Sequence, residues 1–126
     1  MNFQSLNEEV KTQWNVALAT YLENIKKSYL SWSRPLENDE IGNKIRNEQY
    51  VKFAMSLRVD VTPLYYKVWK GNSIHSFIVK VDGPKFKAGD ILKAATYKAP
   101  AKNQARGNLF AVEGYHIDWT GADYLR

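Results

Sequence analysis

Apolar residues recur at every third or fourth position near the start of the chain, which is the spacing of an amphipathic helix. The pattern predicts one long helix over residues 5–31, and its inward face carries Leu6, Val10, Trp14, Leu18, Leu22, Ile25 and Tyr29. Ser5 precedes Glu8 by three residues, so the pair predicts a capping box at the start of this helix.

A polar segment with proline and glycine, residues 33–42, separates this helix from a second one. The second helix is predicted over residues 43–57, with inward side chains Ile45, Tyr50, Phe53, Ala54 and Leu57. Two helices with apolar stripes must bury them against something. A sheet of the same domain is the first possibility, and a dimer partner is the second.

After the second helix the pattern changes to the alternation of strands. Strands are predicted over residues 59–61, 64–70, 74–81, 91–97 and 115–119. Gly71 and Asn72 are a turn signal, so the second and third strands are expected to form an antiparallel hairpin. The sequence therefore predicts a single α+β domain over residues 1–126, with N-terminal helices (1–57) packed on an antiparallel β-sheet (58–126).

The composition narrows the classes of function. The chain of 126 residues has no cysteine, which excludes disulfides and thiolate metal sites and suits a reducing cytoplasm. It has no long apolar run and does not begin with a basic segment followed by an apolar one. We therefore expect no membrane span and no secretory signal.

A search for catalytic residues finds little. His75 and His116 are 41 positions apart, and neither has a ligand partner at helical or hairpin spacing, so no metal site is expected. Ser76 beside His75 suggests a nucleophile and its base, but neighbours on a regular strand point to opposite faces. No nucleophile elbow or phosphate-cradling glycine loop is present. We expect a protein that binds without catalysis and needs no cofactor.

Positive charge is concentrated in the second half of the chain. Residues 61–106 hold nine Lys or Arg and two Asp, so nine minus two gives +7, against +5 for the whole chain. A basic stretch with interleaved aromatic residues suggests an anionic partner, such as a nucleic acid, a nucleotide or another phosphate. The alternative is that the lysines keep a sheet soluble and protect its edges.

The strand after Gly71-Asn72 contains one candidate binding surface. Regular alternation places Ser73, His75, Phe77 and Val79 on one face and the residues between them on the other. If Ile74 and Ile78 face the helices, His75 and Phe77 lie together on the open face, where Phe77 can stack on a base. The alternative places Phe77 in the core.

The segment 97–108 contains a second candidate surface, with the cations Lys98, Lys102 and Arg106. Arg106 can bind a phosphate through two parallel hydrogen bonds, and Asn108 offers a donor and an acceptor to a base or ribose. Its small Ala and Gly residues let backbone N–H groups approach a ligand closely. The alternative is a solvated loop in which Arg106 pairs with Glu113.

These segments resemble a family of small phage proteins, identified here as the first type of Thoeris anti-defence sponge, with related anti-CBASS sponges. The resemblance covers about residues 64–110. Five segments carry it: Tyr65-Tyr66-Lys67-Val68, Asn72-Ser73-Ile74-His75-Ser76-Phe77-Ile78, Gly89-Asp90-Ile91-Leu92-Lys93-Ala94-Ala95, Lys98-Ala99-Pro100-Ala101-Lys102 and Ala105-Arg106-Gly107-Asn108. The turn over residues 82–89 is longer than in that family because Pro84-Lys85-Phe86-Lys87 is inserted.

The resemblance implies a phage protein in the host bacterial cytoplasm that sequesters a cyclic nucleotide immune signal without cleaving it. Glycocyclic ADP-ribose and cyclic oligonucleotides are the implied ligands, and a homodimer that assembles to a hexamer is the implied state. Its base-stacking Phe and phosphate-binding Arg correspond to Phe77 and Arg106, and Asn108 is a further ligand contact. Lys98 and Lys102 are expected to neutralise phosphate charge, and Ser73 and His75 to line the site.

Three other functions fit the sequence. A small phage nucleic-acid-binding protein is the main alternative, because the charge and the aromatic residues suit it. An interaction protein could use the helix face that carries Trp14 and Tyr21 as an interface. A small enzyme that degrades the signal would release a changed product.

Overall fold

The computed structural model describes residues 3–122, with side chains from Glu8 onward. The chain forms an α+β domain in which two helices precede the strands, as the sequence predicts. The elements are α1 (Phe3–Trp32), α2 (Glu40–Ser56), β1 (Leu57–Val61), β2 (Tyr65–Lys70), β3 (Ser73–Val79), β4 (Ile91–Lys93), β5 (Ile117–Asp118) and β6 (Gly121–Ala122).

The four longer strands form one antiparallel sheet in the order β1-β2-β3-β4. β5 and β6 form a separate two-stranded sheet. We call the side of the larger sheet that packs on α1 the helix face, and the opposite side the outer face. Within residues 3–122, neither helix is long and apolar enough to cross a membrane.

The helix boundaries differ from the prediction at three points. α1 begins at Phe3, so Ser5 lies inside the helix and not at a capping box. α2 begins three residues earlier than predicted, because the Asp39 carboxylate accepts a hydrogen bond from the Gly42 backbone N–H at 3.0 Å and caps the helix. Leu57 already belongs to β1.

α2 lies at the periphery and has no buried residue. Its best contact is Phe53, whose ring stacks on Tyr29 of α1 with centroids 4.5 Å apart. Ile45 was predicted to point inward, but it is 49% exposed. The prediction is wrong because the inward side of this helix is the one that carries Phe53 and Tyr50, both of which contact Tyr29.

The helix face holds the larger of two apolar clusters. Its fully buried members come from α1, from three strands and from β6: Tyr21, Ile25, Val68, Ile78, Ile91 and Ala122. Burying a large apolar side chain contributes about 1.5–3 kcal/mol. This cluster fixes the sheet against α1.

An extra residue in β3 changes which side chains reach each face. Val68 pairs with Ser76 and Trp69 pairs with Ile74, so His75 has no partner in the register and forms a β-bulge. Ile74 consequently packs beside Phe77 on the outer face. His75 and Ser76 both turn toward α1, where the His75 ring meets the Tyr21 ring edge-on at 5.9 Å.

The outer face carries the second cluster, formed by Phe77, Val79 and Leu92. Two loops fold back over it and place Phe86 and Ala105 against these side chains. The sequence predicts a strand over residues 91–97, but β4 ends at Lys93 because the chain turns back, with the Ala95 N–H bonded to the Ala99 carbonyl.

The last predicted strand, residues 115–119, shortens to β5 (Ile117–Asp118). Beside β4, the segment 106–108 extends the sheet irregularly: the Arg106 N–H donates to the Ile91 carbonyl at 2.8 Å and the Ile91 N–H to the Gly107 carbonyl at 3.0 Å. This pairing places the predicted cationic loop next to the Phe77 cluster.

Candidate functional site: a cavity on the outer face

A cavity of about 310 Å³ opens on the outer face where β2 begins and β3 ends. Tyr65, Val79, Pro84 and Phe86 supply apolar wall, and its polar groups come from Asp82, Lys85 and Lys102. The volume lies at the lower end of the range that small-molecule sites occupy. The lining combines apolar and aromatic surface with a few charged groups, which is the composition of a ligand pocket.

The segment 84–87 builds one wall of the cavity. The Gly83 N–H donates to the Phe86 carbonyl at 2.8 Å, which closes a tight turn. Below it, the Asp82 carboxylate accepts a hydrogen bond from the Ala88 N–H at 2.8 Å. These two hydrogen bonds fix the conformation of the segment, which places Phe86 over the Phe77 cluster.

Two ammonium groups lie beside the cavity. The Lys85 side chain donates a hydrogen bond to the Lys102 backbone carbonyl and lies 5.5 Å from the Phe86 ring centroid. The Lys102 residue itself is exposed. Lysines at an apolar opening suit a ligand with a planar apolar part and an anionic part.

Phe77 does not stand on an open face. It is 1% exposed, and its ring meets the Tyr65 ring edge-on at 5.6 Å. The hypothesis that Phe77 and His75 lie together on the open face is wrong, because the bulge separates them onto opposite faces. Phe77 instead lies in one cluster with Val79 and packs against Tyr65, and both of those residues line the cavity.

His75 belongs to a buried polar network on the helix face. Its Nε2–H donates to the Asp118 backbone carbonyl at 2.7 Å, and its Nδ1 lies 2.8 Å from Ser76 Oγ. Tyr21 Oη lies 2.6 Å from the same Ser76 oxygen. These contacts connect the side chains to one another and to the backbone, so the network is satisfied with every group neutral.

Burial favours the neutral forms of this network. It lowers the pKa of His75 to about 4 and raises the pKa of Tyr21 above its usual value. The expectation that Ser76 and His75 point to opposite faces is wrong, since the bulge brings them into contact. Ser76 is fully buried, so this pair holds α1 on the sheet and has no access to a substrate.

Asn108 and Gly107 hold the loops in place. The Asn108 amide donates to the Ala88 carbonyl at 3.0 Å and to the Asp90 carboxylate at 2.9 Å, and it accepts from the Phe110 N–H at 2.8 Å. Gly107 has φ +127°, and a Cβ there would lie 2.3 Å from Tyr115 Cα. The sequence suggested ligand contacts for both residues. In the structure the Asn108 amide instead connects loops, and Gly107 is needed because Tyr115 leaves no room for a Cβ.

The other predicted site residues lie apart from one another. Arg106 is 6% exposed, and its guanidinium donates to the Asn103 side chain at 2.9 Å. Lys98 is exposed at a loop tip beside the Tyr97 ring, at 5.5 Å from its centroid. Ser73 is exposed, and its hydroxyl donates to the Lys70 carbonyl at 3.2 Å. Of the predicted set, Lys102 lines the cavity.

Sequence reasoning missed Tyr65, Lys85 and Phe86. The sequence does contain a pattern that could have indicated Lys85 and Phe86, because this cation and aromatic residue directly follow the turn pair Gly83-Pro84. Tyr65 is harder to find from the sequence. Its position in the strand 64–70 indicates which face of the sheet it lies on, but not that a cavity forms there. Within residues 3–122, no group of three or more His, Cys, Asp or Glu could hold a metal ion.

Comparison with known proteins gives one match. Residues 4–125 match the model of DUF7717, described as a family of unknown function. Neither the curated proteins nor the solved structures contain a significant match. Because the family model spans nearly the whole chain, this protein belongs to DUF7717.

Proposed function

We propose that the protein binds a cyclic nucleotide in the outer-face cavity and holds it intact, so that it acts as a sponge for a bacterial immune signal. The observation that carries the proposal is the pairing of aromatic walls with two lysines at one cavity. The resemblance of residues 64–110 to the anti-defence sponges supports the choice of ligand class. The proposed place of action is the host bacterial cytoplasm.

The cavity chemistry suits such a ligand. Tyr65 and Phe86 offer rings against which a base can pack, a contact that contributes about 1–3 kcal/mol. Lys85 and Lys102 can each donate charge-assisted hydrogen bonds to phosphate oxygens, each of which contributes roughly 1.5–3 kcal/mol. Phe77 supports this site from behind through its contact with Tyr65.

The groups around the cavity favour retention over turnover. The Asp82 carboxylate accepts a backbone hydrogen bond, and its neighbours at the cavity are apolar residues and lysines. His75 lies on the opposite face of the sheet, hydrogen-bonded to Ser76 and Asp118. We therefore propose that the protein binds the ligand without a catalytic general base.

A homodimer that assembles to a hexamer is also part of the proposal. α2 presents apolar side chains to solvent: Ile41 and Met55 are 79% and 81% exposed, and Ile45 and Val51 are about half exposed. Contiguous exposed apolar surface favours association. Light scattering should give a mass above the 14.5 kDa of one chain, and Ile41→Lys with Met55→Lys should shift it toward the monomer.

Native mass spectrometry with a panel of cyclic nucleotides tests the ligand proposal. The expected result is a stoichiometric complex that releases the unchanged ligand on heating. Lys85→Ala and Lys102→Ala should each weaken binding about tenfold, because each removes a charge-assisted contact. Lys87→Ala is the matched control, since Lys87 is an exposed lysine of the same segment 84–87 and does not line the cavity.

Two results would overturn the proposal. If no member of the panel forms a complex, the protein does not bind a cyclic nucleotide. If the released ligand is chemically changed, the protein is an enzyme and not a sponge. A ligand that binds equally to wild type and to the two lysine variants would move the site away from this cavity.

A further inference from the structure

The part of the outer face formed by β1 and β2 carries a second group of aromatic and basic residues. Trp69 and Lys67 share this face with Tyr65, since alternate residues of a strand point to one side. Lys67 Nζ lies 5.4 Å from the Trp69 ring centroid and 5.7 Å from that of Phe77. These two distances place Trp69 on the same side of the sheet as the Phe77 cluster.

Arg58 covers the Trp69 ring from the neighbouring strand. Arg58 pairs with Trp69 in the sheet register, and its guanidinium carbon lies 4.4 Å from the ring centroid. One of its N–H groups donates to the Gly71 carbonyl at 3.2 Å, and its Nε lies 3.9 Å from the Asp60 carboxylate. The Arg58 side chain is 52% exposed, so its guanidinium plane and further donors remain accessible.

The indole N–H of Trp69 is a buried hydrogen-bond donor that lacks an acceptor among the described residues. Trp Nε1 is a donor only, so a group that satisfies it must bring an acceptor. An acceptor that reaches this donor, such as a phosphate or base oxygen, would lie beside the Arg58 and Lys67 cations.

We infer that Trp69, Arg58 and Lys67 form a binding site for single-stranded nucleic acid, separate from the cavity. A base stacks on the Arg58 and Trp69 layer, and the adjacent phosphates contact Arg58 and Lys67. Aromatic and guanidinium planes on an open sheet are sequence-tolerant platforms for bases. The charge of +7 over residues 61–106 supplies attraction to a polyanion.

This site and the cavity can be occupied independently. Tyr65 lies at the cavity and Trp69 is four residues further along β2, about 13 Å away at the usual rise of a strand. No residue of the Trp69 site lines the cavity. A small nucleotide in the cavity therefore leaves the Trp69 platform open to a separate strand.

Fluorescence polarisation with a labelled twelve-residue oligothymidylate tests this inference on the full chain. Wild type should bind it, and the affinity should fall steeply as salt rises. Trp69→Leu and Arg58→Ala should each lower the affinity about tenfold or more, and Lys67→Ala should also reduce the salt slope by close to one unit. Arg58→Ala changes an exposed side chain, so this variant is expected to keep the fold even if Trp69→Leu does not.

Trp32→Leu is the control, because Trp32 is 64% exposed on α1, which packs on the opposite face of the sheet. Its affinity for the oligonucleotide should match that of wild type. Equal losses in Trp32→Leu and Arg58→Ala, or no binding by wild type at low salt, would overturn the inference. Displacement of the oligonucleotide by a saturating cyclic nucleotide would overturn the separation of the two sites.

Discussion

The two faces of the sheet use the same strands for different purposes. On the helix face, Ile78 and Val68 are fully buried, and the polar atoms of His75 and Ser76 are paired in a neutral network. On the outer face, Arg58 and Lys67 bring charge, and the buried Trp69 N–H has no acceptor among the described residues. Strand alternation thus separates a closely packed face from a face with exposed charge and aromatic surface, the face on which we propose binding.

The largest effect expected from this comparison is on stability. Ile78→Ala on the helix face should lower the free energy of unfolding by about 2–5 kcal/mol, because it opens a cavity in a fully packed cluster. Ile74→Ala, four residues earlier on the outer face and only partly buried, should cost clearly less. Urea denaturation of both variants measures the difference. Equal losses of unfolding free energy in the two variants would mean that both faces contribute equally to stability.

Acidification should weaken the helix face specifically. The pKa of His75 is about 4 in the folded protein and close to 6.5 in the unfolded chain, so the unfolded state binds the proton more readily. The stabilising contribution is complete above pH 6.5 and is lost as the pH falls through 4. The loss amounts to about 3 kcal/mol at low pH.

Urea denaturation between pH 7 and 4 measures this loss. His75→Gln should start from a lower stability and show a flatter pH dependence over this range. His116→Gln makes the same change at an exposed position outside this network and is the control variant. An unchanged profile in His75→Gln would show that other groups cause the acid sensitivity.

The smallest effect on stability is expected from a substitution of the exposed Lys102 on the outer face. Lys102→Ala removes an exposed side chain, so the free energy of unfolding should change by no more than about 0.5 kcal/mol. Ligand binding at the cavity should fall about tenfold in the same variant. Thermal denaturation and ligand titration on one preparation test both parts. A large loss of stability would contradict the division between the faces.

Periodicity was enough to predict the α+β fold and the two helices, because these follow from the burial of apolar faces. The turn pair Gly71-Asn72 predicted the β2–β3 hairpin. It did not predict the bulge at His75, since regular alternation assumes one partner for each residue of the strand. That single residue reversed the expected positions of Ile74 and His75. The start of α2 was missed because Gly42 was treated as a break, whereas its N–H contacts the Asp39 cap.

The candidate site depended more strongly on tertiary structure. Lys102 was found from its charge, but one wall of the cavity beside it is formed by the segment that carries Lys85 and Phe86. For Phe77 the sequence left an open face and the core as alternatives, and the structure shows the core, where Phe86 and Ala105 cover the cluster. Charge and residue type can thus suggest a binding function, whereas the pairing of loops over a sheet decides which residues remain accessible.

The peripheral position of α2 has a consequence for the motions of the molecule. A helix without a buried residue, held by contacts such as that of Phe53 with Tyr29, costs less to detach than the rest of the fold. Its backbone amides should exchange their hydrogens with deuterium before those of β3. Transient detachment of this kind should also make the segment 40–56 the first site that an added protease cleaves.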